Sequence, residues 1–252
     1  MGMLLSLKGK VAAITGATRG IGRSIALGMA EAGADIVLLQ RSPENDTVQK
    51  EIEKYGVRCV IIPCDISDTG QVKEAIPAVV EQLGHIDILV NNAGIQRRSP
   101  AVDFSEQDWD DVLQVNLKAV WLLCQQAGRY MVAQKSGKII NIASLVSYQG
   151  GILVPAYASA KGAVAQLTKA LANEWSSQGV NVNAIVPGYI ATDMNEALIN
   201  DPVRSRQIME RIPAERWGNP DDFKGPAVFL ASDASQYIHG HLLAVDGGWL
   251  GR

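Results

Sequence analysis

Proton transfer at a carbinol or carbonyl carbon needs a positioned acid or base, and one stretch of this chain holds suitable groups, Ser144, Tyr157 and Lys161. Tyr157 and Lys161 are four residues apart, so on a helix they share one face. A tyrosine hydroxyl normally loses its proton near pH ~10, but an adjacent ammonium group favours the phenolate and lowers this pKa. Ser144 ends an apolar run and is placed to hydrogen-bond a substrate oxygen. A Tyr–Lys pair alone is a weak signal, because most such pairs are ordinary helix surface.

The elements that position these residues are predicted to be short strands alternating with longer helices. Apolar, β-rich runs predict strands at residues 11–15, 35–40, 57–65, 86–94, 138–144, 181–188 and 240–248. Amphipathic stretches predict helices at residues 20–33, 42–56, 67–84, 105–134, 155–179 and 221–232. Such alternation, with near-continuous apolar strands, indicates a parallel sheet covered on both faces. The predicted fold class is α/β, a single-domain, Rossmann-like, doubly wound parallel sheet over residues 1–252.

Two of these helices carry residues with specific consequences for their boundaries. Ser42 is predicted to cap helix 42–56, with Pro43 in its first position. Pro77 is expected to disturb the middle of helix 67–84, unless the helix proper begins near it.

Composition and charge exclude several classes of function. The chain of 252 residues has a net charge of −3 and no long basic run, which argues against nucleic acid as a partner. Its three cysteines have no metal-site spacing, so reduced thiols and no metal are expected. Residues 1–10 do not read as a secretory signal, and no run reaches the ~18 apolar residues of a membrane helix. We therefore expect a cytoplasmic protein without a membrane segment.

A glycine-rich segment predicts a nucleotide-binding loop. Strand 11–15 runs directly into residues 15–22, TGATRGIG, which open a helix. Glycines at these places let the backbone turn tightly and approach a pyrophosphate, which then sits on the amino end of the helix. The strand–turn–helix context favours this interpretation over an ordinary turn.

The spacing Gly-x-x-x-Gly-x-Gly, together with residues 91–94 (NNAG), Ser144 and the Tyr157–Lys161 pair, resembles the classical short-chain dehydrogenase/reductase family. The resemblance extends over essentially the whole chain. It also includes Asn116, Pro187-Gly188 and residues 245–248 (VDGG).

The resemblance implies a role for each matching residue. Tyr157 would be the general acid/base, and Ser144 would steady the substrate oxygen. Lys161 would lower the pKa of Tyr157 and hold the nicotinamide ribose, and Asn116 would keep a water in place for proton relay. The dinucleotide would be contacted by Gly16, Thr18, Arg19, Gly20, Ile21, Gly22, Arg41, Asp65, Ile66, Asn92, Ala93, Gly94, Tyr157, Lys161, Pro187, Gly188, Ile190 and Thr192.

The end of strand 35–40 bears on which nicotinamide cofactor is used. NAD sites usually place an acid there to bind the ribose 2′-hydroxyl, whereas this chain has Gln40-Arg41-Ser42. Arg41 can instead pair with a 2′-phosphate, assisted by Arg19. NADP(H) is therefore the expected cofactor. If Arg41 is only a solvated loop residue, NAD(H) is the alternative.

Two adjacent arginines, Arg97 and Arg98, follow the NNAG turn and are candidates for binding a substrate carboxylate, with surface charge as the alternative. Two neighbouring loop side chains do not easily both point inward, and Arg97 is the predicted substrate ligand, beside Ser144 and Tyr157. Residues 147–161, 171–175 and 211–220 and the C-terminal AVDGGWLGR look like family members that act on sugar acids. By the same resemblance, residues 191–217 are expected to form a mobile substrate lid.

Three further expectations concern alternatives and assembly. A 3-oxoacyl-thioester reductase is the rival enzyme, although such enzymes usually carry a basic patch and the basic residues here are scattered. A catalytically idle nucleotide-binding scaffold is the rival of another class, and the intact Asn–Ser–Tyr–Lys set argues against it. The resemblance implies a homotetramer formed through helices 105–134 and 157–178 and the C-terminal strand.

Overall fold

The computed structural model describes residues 4–252. The prediction for the amino-terminal segment falls partly on residues 1–3, which lie outside this range. The helices are α1 Gly20–Glu31, α2 Thr47–Glu53, α3 Thr69–Leu83, α4 Glu106–Leu113, α5 Ala119–Ala133, α6 Pro155–Trp175, α7 Glu196–Ile199, α8 Pro202–Arg211 and α9 Lys224–Ala231. The strands are β1 Val11–Thr15, β2 Asp35–Gln40, β3 Cys59–Pro63, β4 Ile88–Asn91, β5 Gly137–Ile142, β6 Val180–Pro187 and β7 Leu242–Val245.

The strands form one parallel sheet in the order β3-β2-β1-β4-β5-β6-β7. The order reverses beside β1, which pairs with β2 on one side and β4 on the other. Open α/β sheets bind ligands beyond the carboxyl ends of their strands at such a reversal. The predicted Rossmann-like, doubly wound parallel α/β sheet is confirmed.

Helices cover both faces of the sheet because successive strand residues point to opposite sides. Ala12 and Ile14 of β1 belong to a core packed with α1 and α9. Val11 and Ala13, between them, belong to a second core packed with α3, α5 and α6. Both faces of β1 are fully buried, which explains why its sequence is apolar without alternation.

Helix α2 begins five residues later than predicted. It starts at Thr47 after Asp46, and Ser42 does not cap it. The intervening residues form a turn that the amide of Gln40 holds, since its Nε2 donates to the carbonyls of Ser42 and Asn45 at 2.8 Å each. Competition from this turn removes residues 42–46 from the helix.

Helix α3 contains Pro77 in its interior without being broken. Asp68 caps its start by accepting from the amides of Gly70 and Gln71, and Gly84 ends it in the left-handed region. The side chains of Val72 and Ile76 are fully buried on its apolar face. We infer that this packing offsets the hydrogen bond that proline removes.

The predicted helix 105–134 is interrupted. A π-helical segment, Gln114–Lys118, separates α4 from α5 and contains Asn116. Such insertions occur mostly as single turns and often at functional sites. Among residues 4–252 no helix is long and apolar enough to cross a membrane.

Candidate active site

A cavity of about 1510 Å³ lies at the carboxyl edge of the sheet. Residues that follow four strands line it, namely Gly16 after β1, Asn92 after β4, Ser144 after β5 and Gly188 after β6. Every residue predicted to contact cofactor or substrate lines this one cavity, and Asn116 is the predicted site residue that does not. The parallel sheet thus brings together side chains from distant parts of the chain.

Ser144, Tyr157 and Lys161 all line this cavity. Pro155 begins α6, which places Tyr157 and Lys161 one turn apart, and the Lys161 Nζ lies 5.6 Å from the centre of the Tyr157 ring. The ammonium group of Lys161 is buried and donates to the carbonyl of Ile142 at 2.6 Å. This bond ties α6 to the end of β5, two residues before Ser144.

The pKa values of the pair move in directions that burial dictates. Burial raises the pKa of Tyr157, while a hydrogen bond with Ser144 and the charge of Arg98 partly oppose this. Burial also lowers the pKa of Lys161 to about 8. The net shift of Tyr157 is therefore opposite to the one expected from a neighbouring ammonium group alone, and Ser144 and Arg98 are the groups that favour its phenolate here.

Asn116 is buried in the π-helical segment, where its amide is fully engaged with backbone groups. Its Oδ1 accepts from the amide of Ile95 at 3.1 Å. Its Nδ2 donates to the carbonyl of Ile95 at 2.8 Å and to that of Val112 at 3.0 Å. The side chain therefore holds the loop after β4 against the helix, and a role in holding a water stays a prediction.

The glycine loop is packed against the turn after β4 too closely for side chains. Gly16 has a φ of +64°, and a Cβ there would lie 2.9 Å from the Cα of Ala93. A Cβ on Gly22 would overlap the Nδ2 of Asn92 and the carbonyl oxygen of Gly16. Asn92 in turn donates to the carbonyls of Thr15 at 3.0 Å and Gly16 at 2.9 Å. Glycine is therefore required at both positions by contact and, at Gly16, by conformation.

The edge of the cavity beside β2 and β3 holds the groups predicted for the adenosine end. The Oδ1 of Asp65 accepts from the amide and hydroxyl of Ser67 at 2.9 and 2.7 Å, which lowers the pKa of this carboxyl, and the charge of Arg41 lowers it further. Gln40, which sequence reasoning did not assign, has a buried Oε1 without a hydrogen-bond partner among the described residues. An orphaned acceptor beside a cavity indicates a missing donor.

Two arginines that were predicted to contact cofactor or substrate, Arg19 and Arg97, have acidic partners. Arg19 forms an ion pair with Asp193 at 3.0 Å, so its charge is shared with residues 191–217. Arg97, the predicted substrate ligand, pairs with Asp108 of α4 at 3.2 Å. Arg98 is the one whose charge acts on Tyr157. Arg97 lines the cavity despite its pairing with Asp108, and its role as a substrate ligand stays a prediction.

Comparison with known proteins gives the chain its family. A family model described as enoyl-(acyl carrier protein) reductase matches residues 16–250. A 2-dehydro-3-deoxy-D-gluconate 5-dehydrogenase of Pseudoalteromonas atlantica is 54% identical over 249 residues, which cover 98% of each chain. The chain belongs to the short-chain dehydrogenase/reductase family.

Other members of this family share nearly the full length. A gluconate 5-dehydrogenase of Gluconobacter oxydans is 42% identical over 97% of this chain and 96% of its own. The crystal structure of a gluconate 5-dehydrogenase from Burkholderia cenocepacia in complex with NADP and tartrate is 41% identical, with a TM-score of 0.95, and the match covers 100% of this chain and 99% of that one.

Residues 191–217 of this short-chain dehydrogenase/reductase are largely helical, since they contain α7 and α8. Trp217, which follows α8, packs edge-on against Tyr189 at 5.7 Å and donates from its Nε1 to the Ser205 hydroxyl at 3.3 Å. The indole thus anchors α8 to the segment that follows β6.

The cavity lining also includes residues to which the sequence assigned no site role, among them Gln149, Arg211 and Trp249. These three residues lie in segments that resemble sugar-acid dehydrogenases, residues 147–161, 211–220 and the C-terminal end, but the resemblance assigned them no role of their own. Nothing in their local spacing indicates that they meet. Only the fold brings the end of the chain back to the cavity.

Proposed function

We propose that the protein transfers hydride between a nicotinamide dinucleotide and a secondary alcohol or ketone of a sugar acid, with an activity like that of 2-dehydro-3-deoxy-D-gluconate 5-dehydrogenase. The observation that carries this proposal is the shared cavity of Ser144, Tyr157 and Lys161 with the glycine loop. The relatives named above support the substrate class. Gluconate 5-dehydrogenase is the alternative within that class, and 2-deoxy-D-gluconate 3-dehydrogenase names a similar activity.

The chain's own residues would manage the proton. When bound, the nicotinamide ring supplies or accepts the hydride. Tyr157 takes the proton of the carbinol oxygen in oxidation and returns it in reduction, while the Ser144 hydroxyl holds that oxygen. Lys161, anchored on the Ile142 carbonyl, presents its ammonium group to the nicotinamide ribose. Asn116 holds the loop at Ile95, which lines the same cavity, and would also keep a water in place for proton relay.

The cofactor is proposed to be NADP(H), with NAD(H) as a possible second cofactor. The close packing of Gly16 and Gly22 at the start of α1 supports a dinucleotide, because the first amides of a helix lack intrahelical partners and can bind a pyrophosphate. Arg41 forms no ion pair with an acidic side chain within residues 4–252 and is available to a 2′-phosphate. The orphaned Oε1 of Gln40 suits a ribose hydroxyl and so supports use of NAD(H) as well. The NADP complex of the Burkholderia relative favours the first.

Assembly, lid and location complete the proposal. Residues 191–217 would close over the substrate as a lid of one catalytic domain, and the Arg19–Asp193 pair links that segment to the glycine loop. We propose a homotetramer, for which the half-exposed Trp121 on the outer face of α5 is supporting evidence. We also propose a cytoplasmic location, in keeping with three buried free cysteines.

A thioester reductase is the second candidate, because the description of the matching family model names an acyl-carrier substrate. Its substrate would bring a long acyl arm to the same Ser144 and Tyr157. The two candidates differ in what must be recognised beside the reacting carbon, since a sugar acid carries a carboxylate and an acyl thioester does not.

The test is a substrate panel with both cofactors. Gluconate, 2-deoxygluconate, 2-dehydro-3-deoxygluconate and acetoacetyl-coenzyme A are assayed with NADP(H) and NAD(H), and kcat/KM is compared. We expect turnover of a sugar acid and a higher kcat/KM with NADP(H). Turnover of the thioester alone would refute the substrate class, and a tenfold or larger preference for NAD(H) would refute the cofactor proposal.

The acid/base assignment is tested separately with Tyr157→Phe. Loss of the hydroxyl should reduce kcat by about 10²–10⁴-fold, the usual contribution of general acid–base catalysis. NADPH binding, measured by fluorescence quenching, should remain within about threefold of wild type. Retained turnover would contradict the role of Tyr157.

A further inference from the structure

The cavity holds several arginines, and their partners distinguish them. Arg19 and Arg97 are paired with Asp193 and Asp108. Arg41 lies at the adenosine end, beside Asp65. Arg98 lines the cavity beyond the turn after β4, donates to the Oε1 of Gln96 at 2.9 Å, and its charge lowers the pKa of Tyr157.

Two cavity arginines on α8 remain, Arg204 and Arg211. Arg204 donates to the Oε1 of Gln207 at 3.1 Å on the same helix. Within residues 4–252, Arg211 has no acidic side chain at ion-pair distance. It is the last residue of α8, and its position is set by an aromatic partner instead of an acid.

The guanidinium of Arg211 lies 4.0 Å from the centre of the Trp249 ring. Trp249 is buried and is held from two sides. Its Nε1 donates to the Oε1 of Gln149 at 3.2 Å, and its ring packs against Tyr189 at 4.7 Å. A stacked guanidinium keeps its N–H donors in one plane and loses little conformational freedom when it binds a carboxylate. Arg211 is therefore a preorganised cation whose donors are not used by an acidic side chain of residues 4–252.

We propose that Arg211, stacked on Trp249, binds the carboxylate of the sugar-acid substrate and so determines specificity at the end of the substrate remote from Tyr157. The inference rests on the proposed function, because it assigns the substrate's charge to a residue of the same cavity. A sugar acid oxidised at C5 carries its carboxylate on C1, with C2 to C4 between them. The charge of C1 is then met at a distance from Ser144 and Tyr157, and the stacked Arg211 is the cavity arginine that we assign to it.

Gln149 links the Arg211–Trp249 stack to the segment that follows Ser144. The backbone amide of Gln149 donates to the carbonyl of Leu145, the residue after Ser144, at 3.1 Å, and its side chain accepts from Trp249. The C-terminal Trp249 thereby holds Arg211 at a set position relative to the catalytic serine. We expect Trp249 to be a positioning residue that acts through Arg211.

The experiment compares Arg211→Met with the matched control Arg206→Met in the purified, NADP-loaded protein. Arg206 is on the same helix, is paired with Glu210 at 3.7 Å and does not line the cavity. Each variant is assayed with a sugar acid that the wild type turns over and with the carboxamide of that acid, which lacks only the charge. Arg204→Met is assayed alongside, and the affinity of each NADP-loaded variant for tartrate, a hydroxydicarboxylate, is measured by calorimetry.

Arg211→Met should lower kcat/KM for the acid by about 10- to 100-fold, mainly through KM, as expected for loss of hydrogen bonds to a charged group. The effect on the carboxamide should be less than about threefold, and tartrate affinity should fall with that for the acid. Arg206→Met should match the wild type. Equal losses on acid and carboxamide would refute the proposal, and so would a loss found in Arg204→Met instead.

Two further readouts keep the conclusions separate. If Arg211→Met does not fold, as judged by NADPH binding and thermal unfolding, Arg211→Lys retains the charge without the planar donors and should show a smaller acid-specific loss. A lysine variant equal to wild type on the acid would then overturn the proposal. If the wild type turns over no sugar acid, the proposed function fails, whereas Arg211-dependent tartrate binding would still support a carboxylate site.

Discussion

Replacement of Asn116 by alanine tests whether this residue acts by holding the loop after β4. The amide makes three hydrogen bonds of 2.8 to 3.1 Å, two to Ile95 and one to Val112, and none of its surface is exposed. The loop it holds contains Gly94, whose Cβ, if present, would lie 2.6 Å from the Asn116 Oδ1. Alanine removes the side-chain partner of three backbone groups, the amide and carbonyl of Ile95 and the carbonyl of Val112, and leaves a void beside them.

The expected magnitude follows from those contacts. A buried polar group left without a partner costs about 1–3 kcal/mol. Three such groups would cost about 3 kcal/mol at the lower limit, which we adopt because Ile95 borders the cavity and its groups can regain water. In a chain of this size 1 kcal/mol shifts Tm by about 2–4 °C, so Asn116→Ala should lower Tm by about 6–12 °C.

The assay is thermal unfolding followed by circular dichroism, with Gln114→Ala as the control. Gln114 lies in the same π-helical segment but makes a single side-chain hydrogen bond, to Thr69 at 3.2 Å. Its replacement should change Tm by less than about 3 °C, because a single bond of this kind contributes about 1 kcal/mol or less. A Tm for Asn116→Ala within 2 °C of wild type, by the same ~2–4 °C per kcal/mol, together with lost turnover, would refute a loop-holding role and favour the water relay.

Three further predictions concern the proton, the nucleotide loop and the cofactor. Arg98→Met removes a positive charge that lowers the pKa of Tyr157, so that pKa should rise. The pH profile of kcat should then shift to higher pH for both alcohol oxidation and ketone reduction, and an unchanged or acid-shifted profile would contradict this. Gly22→Ala places a Cβ against Asn92 and should weaken NADPH binding by at least about tenfold, equivalent to ~1.4 kcal/mol, whereas wild-type affinity would disprove the close packing. Arg41→Ala should weaken binding of NADPH by about tenfold or more, because it removes a charge-assisted pair with the 2′-phosphate, and binding of NADH by less than about threefold. Equal losses for the two cofactors would count against a 2′-phosphate contact.

Much of the fold follows from local sequence patterns. Strands β1, β2 and β4 are buried on both faces, so each is an apolar run that can be recognised without knowledge of its neighbours. The boundaries that were wrong depend on contacts from outside the element. Gln40 holds the turn that delays α2, and core packing keeps Pro77 within α3. The interruption at Asn116 likewise coincides with its bonds to a distant loop.

For the active site, the sequence by itself determined the helical face shared by Tyr157 and Lys161 and the glycine loop after β1, because both are short-range arrangements along one element. It also supplied the family resemblance that assigned their roles. Only the tertiary structure decided that the charge of Arg98 acts on Tyr157, and that burial sets the direction of that tyrosine's pKa. Only the fold, likewise, brings Arg211 onto the ring of Trp249. Side chains on loops and chain ends take their directions from partners far away in sequence, and only the folded sheet brings those partners within reach.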